Sequence, residues 1–200
     1  MFTKFVKEHK KSIHQLFNLM WETTEYIRKQ LAEQGYSVGP LVHGIENYIL
    51  IDGKFEPAHY PTPEFGFLYG VVGCTLDGLY FVMAIEVSSI SAEFLKEIIK
   101  EFPQIQIYGG KDFTRNFYPP PSQEEVILQD IKSSGEETIQ LEIIISELWD
   151  ESKKASVQLI SGIEELVRIA RSHKIKIVNP LQSPRYRVKR YCRDNWGTTS

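Results

Sequence analysis

The chain has 200 residues, a formal net charge of −3, and 42% hydrophobic, 24% charged and 12% aromatic residues. These values are close to those of an average globular domain and exclude collagen-like, disordered and low-complexity chains. Two cysteines, Cys74 and Cys192, are too few for a disulfide framework or a four-cysteine metal site. No apolar run reaches the ~18 residues of a membrane span, and the first residues do not resemble a signal peptide. The sequence therefore predicts a cytoplasmic protein without membrane contact.

The charge is distributed unevenly along the chain. Residues 1–35 carry six basic and four acidic side chains, and residues 36–170 carry nine basic and 21 acidic ones. Residues 171–200 carry eight basic side chains and one acidic one. A basic terminal segment indicates an anionic partner. That partner is either nucleic acid or the acidic body of the same chain or of a second copy.

The first predicted elements are a long helix and a hairpin. Apolar residues recur at three- and four-residue steps over residues 3–34, and Gly35 follows as a left-handed cap. Two strands flank the turn dipeptide at 52–53. Three prolines within residues 57–63 predict an exposed, stiff loop, because proline cannot occupy a central strand.

A second hairpin is predicted around Asp77-Gly78. The flanking segments 66–73 and 79–87 are almost entirely apolar. We therefore expect them to lie as two strands at the centre of a sheet that is covered on both faces.

The second half alternates helices with single strands. Helices are predicted over residues 90–102, 122–133 and 159–170, and strands over 105–108, 138–145 and 174–178. Hairpins followed by single crossovers predict an α+β fold with a mixed, largely antiparallel sheet, packed by the long N-terminal helix and further helices. The predicted organisation is one domain over residues 1–180, followed by a basic C-terminal tail over residues 181–200.

Residues typical of catalysis are scattered. The five histidines lack the spacing of a metal site, and no Gly-x-Ser-x-Gly motif is present. The sequence therefore predicts no catalytic residue, no metal and no cofactor. His59 in the proline-rich loop and Glu86 in an apolar strand could border a cleft; a solvated loop histidine and a glutamate at a strand end are the simpler interpretations. We expect Cys74 to be a buried, small apolar residue rather than a nucleophile.

One short segment has the composition of an anion site. Gly109 and Gly110 follow a predicted strand and precede Lys111 and Arg115. Paired glycines can turn backbone N–H groups towards an anion, which the two cations would neutralise. A tight turn at the sheet edge explains the same glycines without a ligand.

The C-terminal tail interleaves cations with aromatic residues. Cations that follow phosphates, beside rings that stack on bases, are typical of single-stranded nucleic acid binding. The candidate residues are Arg185, Tyr186, Arg187, Lys189, Arg190, Tyr191, Arg193 and Trp196. Docking of the tail against the acidic body within an oligomer is the alternative.

The composition also carries a resemblance. The chain has 22 isoleucines against 15 leucines and is rich in glutamate and lysine. Together with segments such as residues 47–55, this texture resembles an uncharacterised protein family of hyperthermophilic archaea with no assigned function. The resemblance implies no role for any particular residue.

Three hypotheses about function follow. The first is a non-catalytic binding or adaptor protein that acts through protein–protein contacts as a homodimer, with an unknown protein partner. The second is a nucleic-acid-binding accessory protein that uses the tail. The third is a metal-dependent hydrolase around Asp77, Glu86 and His59.

Overall fold

The structure is a computed structural model. For the two strands at 46–51 and 54–60 only the backbone is described. The described residues are 2–43, 46–51, 54–60, 62–75, 78–108, 124–145 and 152–182.

After a long first helix, strands fill the first half of the chain, and helices alternate with single strands in the second half, as the sequence predicts. The helices are α1 (Phe2–Glu33), α2 (Ala92–Glu101), α3 (Glu124–Ser133) and α4 (Ser152–Ser172). The strands are β1 (Val42–His43), β2 (Glu46–Ile51), β3 (Lys54–Tyr60), β4 (Pro63–Phe67), β5 (Gly70–Thr75), β6 (Gly78–Glu86), β7 (Gln106–Tyr108) and β8 (Thr138–Ile145).

Six strands form one sheet in the order β1-β4-β5-β6-β8-β7, while β2 and β3 pair only with each other. The α+β class and the largely antiparallel sheet are confirmed. Every described pairing is antiparallel, so the parallel pair that a mixed sheet requires is missing from this part of the chain. The reason is that β8 lies between β6 and β7, which separates the two strands joined by the crossover.

The helix ends follow local sequence signals. Gly35 has a φ of 89° directly after α1, and Gly135 has a φ of 73° after α3. Both conformations are open to glycine at little cost. At the start of α2 the Ser91 side chain accepts a hydrogen bond from the backbone N–H of Phe94, at 3.2 Å. Helix α3 ends at the predicted residue, α1 ends one residue before the predicted position, and α2 lies within the predicted range 90–102.

The predicted loop over residues 57–63 is wrong. Strand β3 continues to Tyr60, with Pro57 opposite Tyr48 of β2, and Pro63 begins β4. Among the described residues β3 pairs only with β2, so Pro57 lies in an edge strand. A proline without an N–H group is tolerated at such an edge.

The predicted strand over residues 66–73 is two strands joined by a tight turn. Phe67 lies opposite Gly70, and Leu68 and Tyr69 form the turn. A Cβ atom on Gly70 would lie 2.3 Å from the carbonyl oxygen of Val82. Glycine is therefore needed for the close approach to β6 immediately after the chain reverses.

The predicted strand over residues 174–178 is a single β-bridge between Ile177 and Ile85. Strands β5 and β8 flank most of β6. Strand β5 pairs with β6 only from Gly78 to Val82. The last residues of β6 therefore leave a short edge, and the segment around Ile177 pairs there.

The two faces of the sheet differ. On β6, Leu79, Phe81, Met83 and Ile85 have no exposed surface, while the residues between them are partly exposed. The expectation of two covered faces therefore holds for β4, which is buried at all five positions, but not for β6. Antiparallel strands with one packed face alternate in this way. The strand residues of the core are Phe65, Phe67, Val72, Cys74, Leu79, Phe81, Met83, Ile85, Ile107, Ile139, Leu141 and Ile143.

All four helices contribute to the core on that face. Met20 of α1, Phe94 of α2, Ile131 of α3 and Leu159 of α4 belong to the same buried cluster as Phe81. The described part of the chain is thus a layer of helices on one side of a sheet. None of the described helices is both long and apolar enough to cross a lipid bilayer.

Candidate functional site: the open face of the sheet

The other face of the sheet carries a distinct set of side chains, which we call the open face. Strand register places these residues together, because directly paired residues of antiparallel strands point to the same side. The open face consists of Val42, Glu64, Gly66, Val71, Gly73, Thr75, Gly78, Tyr80, Val82, Ala84, Glu86, Gln106, Tyr108, Thr138, Gln140, Glu142 and Ile144.

The centre of the open face is apolar. Val71 lies opposite Val82, and Tyr80 lies opposite Ile144, so four apolar or aromatic residues adjoin across β5, β6 and β8. Val71, Tyr80 and Val82 are partly exposed, and Ile144 is 38% exposed. A contiguous apolar patch bordered by polar residues is typical of a protein contact surface.

A hydrogen bond crosses β5 on this face. The Tyr80 hydroxyl donates to a carboxylate oxygen of Glu64 at 3.1 Å, and Glu64 is only 6% exposed. Gly73 lies between them in register. A Cβ atom on Gly73 would lie 2.3 Å from the Tyr80 hydroxyl oxygen. The absence of a side chain at Gly73 therefore allows the Tyr80 ring to pass over β5.

Glu142 is a partly buried carboxyl of the open face. It lies between Val82 of β6 and Gln106 of β7. Burial raises the pKa of Glu142, and a hydrogen bond from Tyr108 partly offsets this effect. The charged form is thus disfavoured by its surroundings and would gain from a cation placed beside it. Such carboxyls are concentrated at functional sites.

Glu86 stands at the end of β6, as the simpler interpretation of the sequence expected. Its carboxylate lies 3.3 Å from Lys176 Nζ, and its side chain is 45% exposed. Exposed pairs of this kind contribute little to stability.

The acids of the open face do not converge. Glu86 is opposite Thr138, whereas Glu142 is opposite Val82, four residues away along β6. At ~3.3 Å per residue this separates Glu86 from Glu142 by about 13 Å, too far for a shared ion. Among the described residues, no three His, Cys, Asp or Glu side chains are grouped so that they could hold a metal ion. The hydrolase hypothesis also involves Asp77 and the His59 side chain, which lie outside the described residues.

Several candidate residues from the sequence lie outside the described part of the chain. For His59 the backbone lies in β3, so no contact between His59 and Glu86 is described. Asp77 is also outside. The anion-site residues Gly109, Gly110, Lys111 and Arg115 and the tail residues Arg185, Tyr186, Arg187, Lys189, Arg190, Tyr191, Arg193 and Trp196 lie outside as well.

Cys74 is placed as predicted. It has no exposed surface and belongs to the core. Its sulfur lies 3.6 Å from the carbonyl oxygen of Thr75. Its burial favours a packing role over a nucleophilic one.

A charged cluster between α2 and α4 was missed by the sequence analysis. His173 Nε2 lies 2.7 Å from a carboxylate oxygen of Glu97, and Arg168 lies 3.4 Å from the other oxygen. The hydrogen bond with His173 is the main cause that lowers the pKa of Glu97. Because 76 positions separate Glu97 from His173, no local pattern reveals the pair. The cluster lies on the helical side, where it joins two helices.

The pair of Glu64 and Tyr80 was also missed, although a signal existed. Once the two hairpins are placed, strand alternation puts Glu64, Gly73 and Tyr80 in one row. A glycine at the middle position of such a row indicates that a neighbouring aromatic ring can pass over its strand.

Comparison with known proteins places the chain in a family. Residues 11–158 match the family model described as "Protein of unknown function (DUF3201)". The chain belongs to the DUF3201 family. No curated protein matches this DUF3201 chain.

A solved relative supports the assignment. A conserved hypothetical protein from Pyrococcus furiosus is 30% identical and has a TM-score of 0.67. The match covers 82% of this chain and 98% of that one. The resemblance to an uncharacterised family of hyperthermophilic archaea is thereby confirmed.

Proposed function

We propose that this DUF3201 protein is a non-catalytic binding or adaptor protein of the cytoplasm. It acts through protein–protein contacts as a homodimer, and the open face is its contact surface. One observation carries the proposal: the described helices cover one face of the six-stranded sheet, while the other face has a partly exposed apolar centre.

The composition of the open face supports a protein partner. The solvent-facing side of an antiparallel sheet normally alternates to polar residues. Here Val71, Val82, Ala84 and Ile144 take the solvent-facing positions on three neighbouring strands. Burying apolar area contributes roughly 25 cal/mol per Å², so covering this centre favours association.

A homodimer is the simplest assembly for such a surface. In a two-fold dimer the same patch meets itself, so an apolar centre contacts an apolar centre. Glu64 and Glu142 lie towards opposite margins of the face, on β4 and β8. Glu142 adjoins the apolar centre through its direct pairing with Val82, and Glu64 lies one strand beyond Val71.

The experiment compares two aspartate substitutions by sedimentation equilibrium. Ile144→Asp places a charge in the apolar centre, and Val157→Asp places the same charge on α4, where Val157 is 58% exposed. We expect the wild-type protein and Val157→Asp to be dimers. Ile144→Asp should weaken self-association by tenfold or more, which is about 1.4 kcal/mol. A wild-type chain that stays monomeric, or two variants that dissociate equally, contradicts the proposal.

The nucleic-acid hypothesis stays a prediction from the sequence. It is tested by fluorescence anisotropy of short single-stranded RNA and DNA with the full chain at two salt concentrations. Binding through phosphates falls steeply as salt rises.

A further inference from the structure

The open face combines an apolar centre with several acidic side chains. It carries Glu64, Glu86 and Glu142, and its defined residues include no lysine or arginine. Lys176 borders the face and pairs with Glu86. Glu142 on β8 has an environment that a nearby cation would improve. The chemical complement of this surface is a segment with cations and aromatic side chains.

The chain itself leads to this sheet. After α4, the Lys176 carbonyl accepts a hydrogen bond from the Glu86 N–H at 2.9 Å, and the Val178 N–H donates to the Ala84 carbonyl at 2.9 Å. A short 3-10 turn at Pro180–Gln182 then lies beside β4. The described part of the chain therefore ends at the sheet that carries the open face.

The segment that follows has the complementary composition. Residues 185–193, which we call the basic segment, hold Arg185, Arg187, Lys189, Arg190 and Arg193, with Tyr186 and Tyr191 among them. No acidic residue occurs within these nine positions.

The basic segment can reach Glu142. Gln182 and Lys189 are seven positions apart, a span of up to ~23 Å for an extended chain. From β4 to β8 there are three strand spacings of ~4.8 Å, or about 14 Å. The stretch of chain from Gln182 to Lys189 is therefore long enough to cross the sheet to β8.

We propose that the basic segment of the same chain docks on the open face, with its cations beside Glu142 and its tyrosines on the apolar centre. Docking within one chain is favoured, because a short linker supplies an effective concentration in the millimolar range. The regulatory consequence rests on the proposed function: a partner or second copy that uses the open face must displace the basic segment first.

The test is zero-length cross-linking of the full chain with a carbodiimide, which joins a lysine amine to a carboxylate in direct contact. Lys189 is the one lysine in residues 183–200, so its products report on the basic segment alone. The pair of Lys176 and Glu86 at 3.3 Å serves as an internal positive control. Mass spectrometry of a mixture of ¹⁴N- and ¹⁵N-labelled protein separates links within a chain from links between chains.

We expect a Lys189–Glu142 link within single chains at low salt, reduced several-fold at high salt because screening weakens exposed charge pairs. Glu142→Gln should abolish this product and leave the Lys176–Glu86 product unchanged. Glu101→Gln, an exposed position on α2, should leave both unchanged.

Three results would overturn the inference. In the first, the Lys176–Glu86 product forms, but Lys189 is cross-linked mainly to acids of the helical side or is not cross-linked at all. Another is a Lys189–Glu142 link found only between chains. The third is salt-sensitive binding of single-stranded RNA without the Lys189–Glu142 link, which would assign the basic segment to nucleic acid.

Failure of this inference is distinguishable from failure of the proposed function. Sedimentation reports self-association, and the cross-link reports docking. Because the basic segment and a second copy compete for the open face, the cross-link is measured at dilutions where the chain is monomeric, and sedimentation extends to the highest protein concentration. A chain that stays monomeric at that concentration while the link forms contradicts the homodimer alone. A chain that dimerises but shows no link after dilution to the monomer contradicts the docking alone.

Discussion

The Tyr80 hydroxyl donates a hydrogen bond to Glu64 at 3.1 Å, joining β6 to β4 across the intervening strand β5. Glu64 is 6% exposed, so its carboxylate is almost removed from water. A carboxylate in such a place needs hydrogen bonds to be tolerated, and Tyr80 supplies one of them. The contact depends on Gly73, which leaves the space that the ring occupies.

Gly73→Ala should destabilise the protein by displacing the Tyr80 ring from Glu64. The new Cβ atom would lie 2.3 Å from the Tyr80 hydroxyl oxygen, so the side chain must move. Tyr80→Phe removes the same hydrogen bond without adding an atom. We expect each variant to lose about 1–3 kcal/mol of unfolding free energy, measured in urea. Additive losses in the double variant would show that the two changes do not act on one contact.

Gly162→Ala should stabilise the protein and is the matched control for the same substitution. Gly162 lies within α4, and a Cβ atom there would lie 3.6 Å from its nearest neighbour, a methyl group of Ile143. This is ordinary contact, so only the helix preference of alanine remains. We expect a gain of roughly 0.5–1 kcal/mol in the urea experiment. A loss of stability would show that the α4–β8 contact is tighter than described.

At high salt, where screening weakens contacts with the basic segment, Glu142→Gln should stabilise the protein at neutral pH and have little effect at acidic pH. Burial raises the pKa of Glu142 above its ordinary value of 4.5, so the folded state favours the protonated form. Its contribution to stability is present below the unfolded pKa and is lost as pH rises through the folded pKa. Thermal melting at pH 4 and pH 7 checks this expectation. A difference from the wild type that does not change with pH contradicts it.

Glu97→Gln should destabilise the protein at neutral pH by weakening the contact between α2 and α4. The hydrogen bond with His173 lowers the pKa of Glu97 below its ordinary value of 4.5. Its contribution to stability is therefore present above that value and is lost as pH falls through the folded pKa. Thermal melting from pH 3 to pH 7 should show the variant and wild type converging in acid. Glu101→Gln, on the same helix, should follow the wild type throughout.

Much of the secondary structure could be predicted from the sequence alone. The predicted strand over residues 138–145 is β8 to the residue, and the predicted helix over 3–34 differs from α1 by one residue at each end. Both have strong periodic patterns, and the helices have capping glycines or serines. Such signals depend on residues a few positions apart, so they can be recognised without knowledge of the fold.

The candidate site required the tertiary structure. The apolar run over residues 66–73 contains a turn that its pattern does not reveal. Gly70 is needed after that turn because its backbone packs closely against the Val82 carbonyl of another strand. Likewise, Glu142 within β8 is an ordinary alternating residue until β6 and β7 bury it on either side. The sequence by itself determined the helices, most strands and the charge asymmetry, because these depend on neighbours along the chain. Helix packing decided which face of the sheet the described helices leave uncovered, and strand order decided which side chains share that face, because those contacts join residues that only folding brings together.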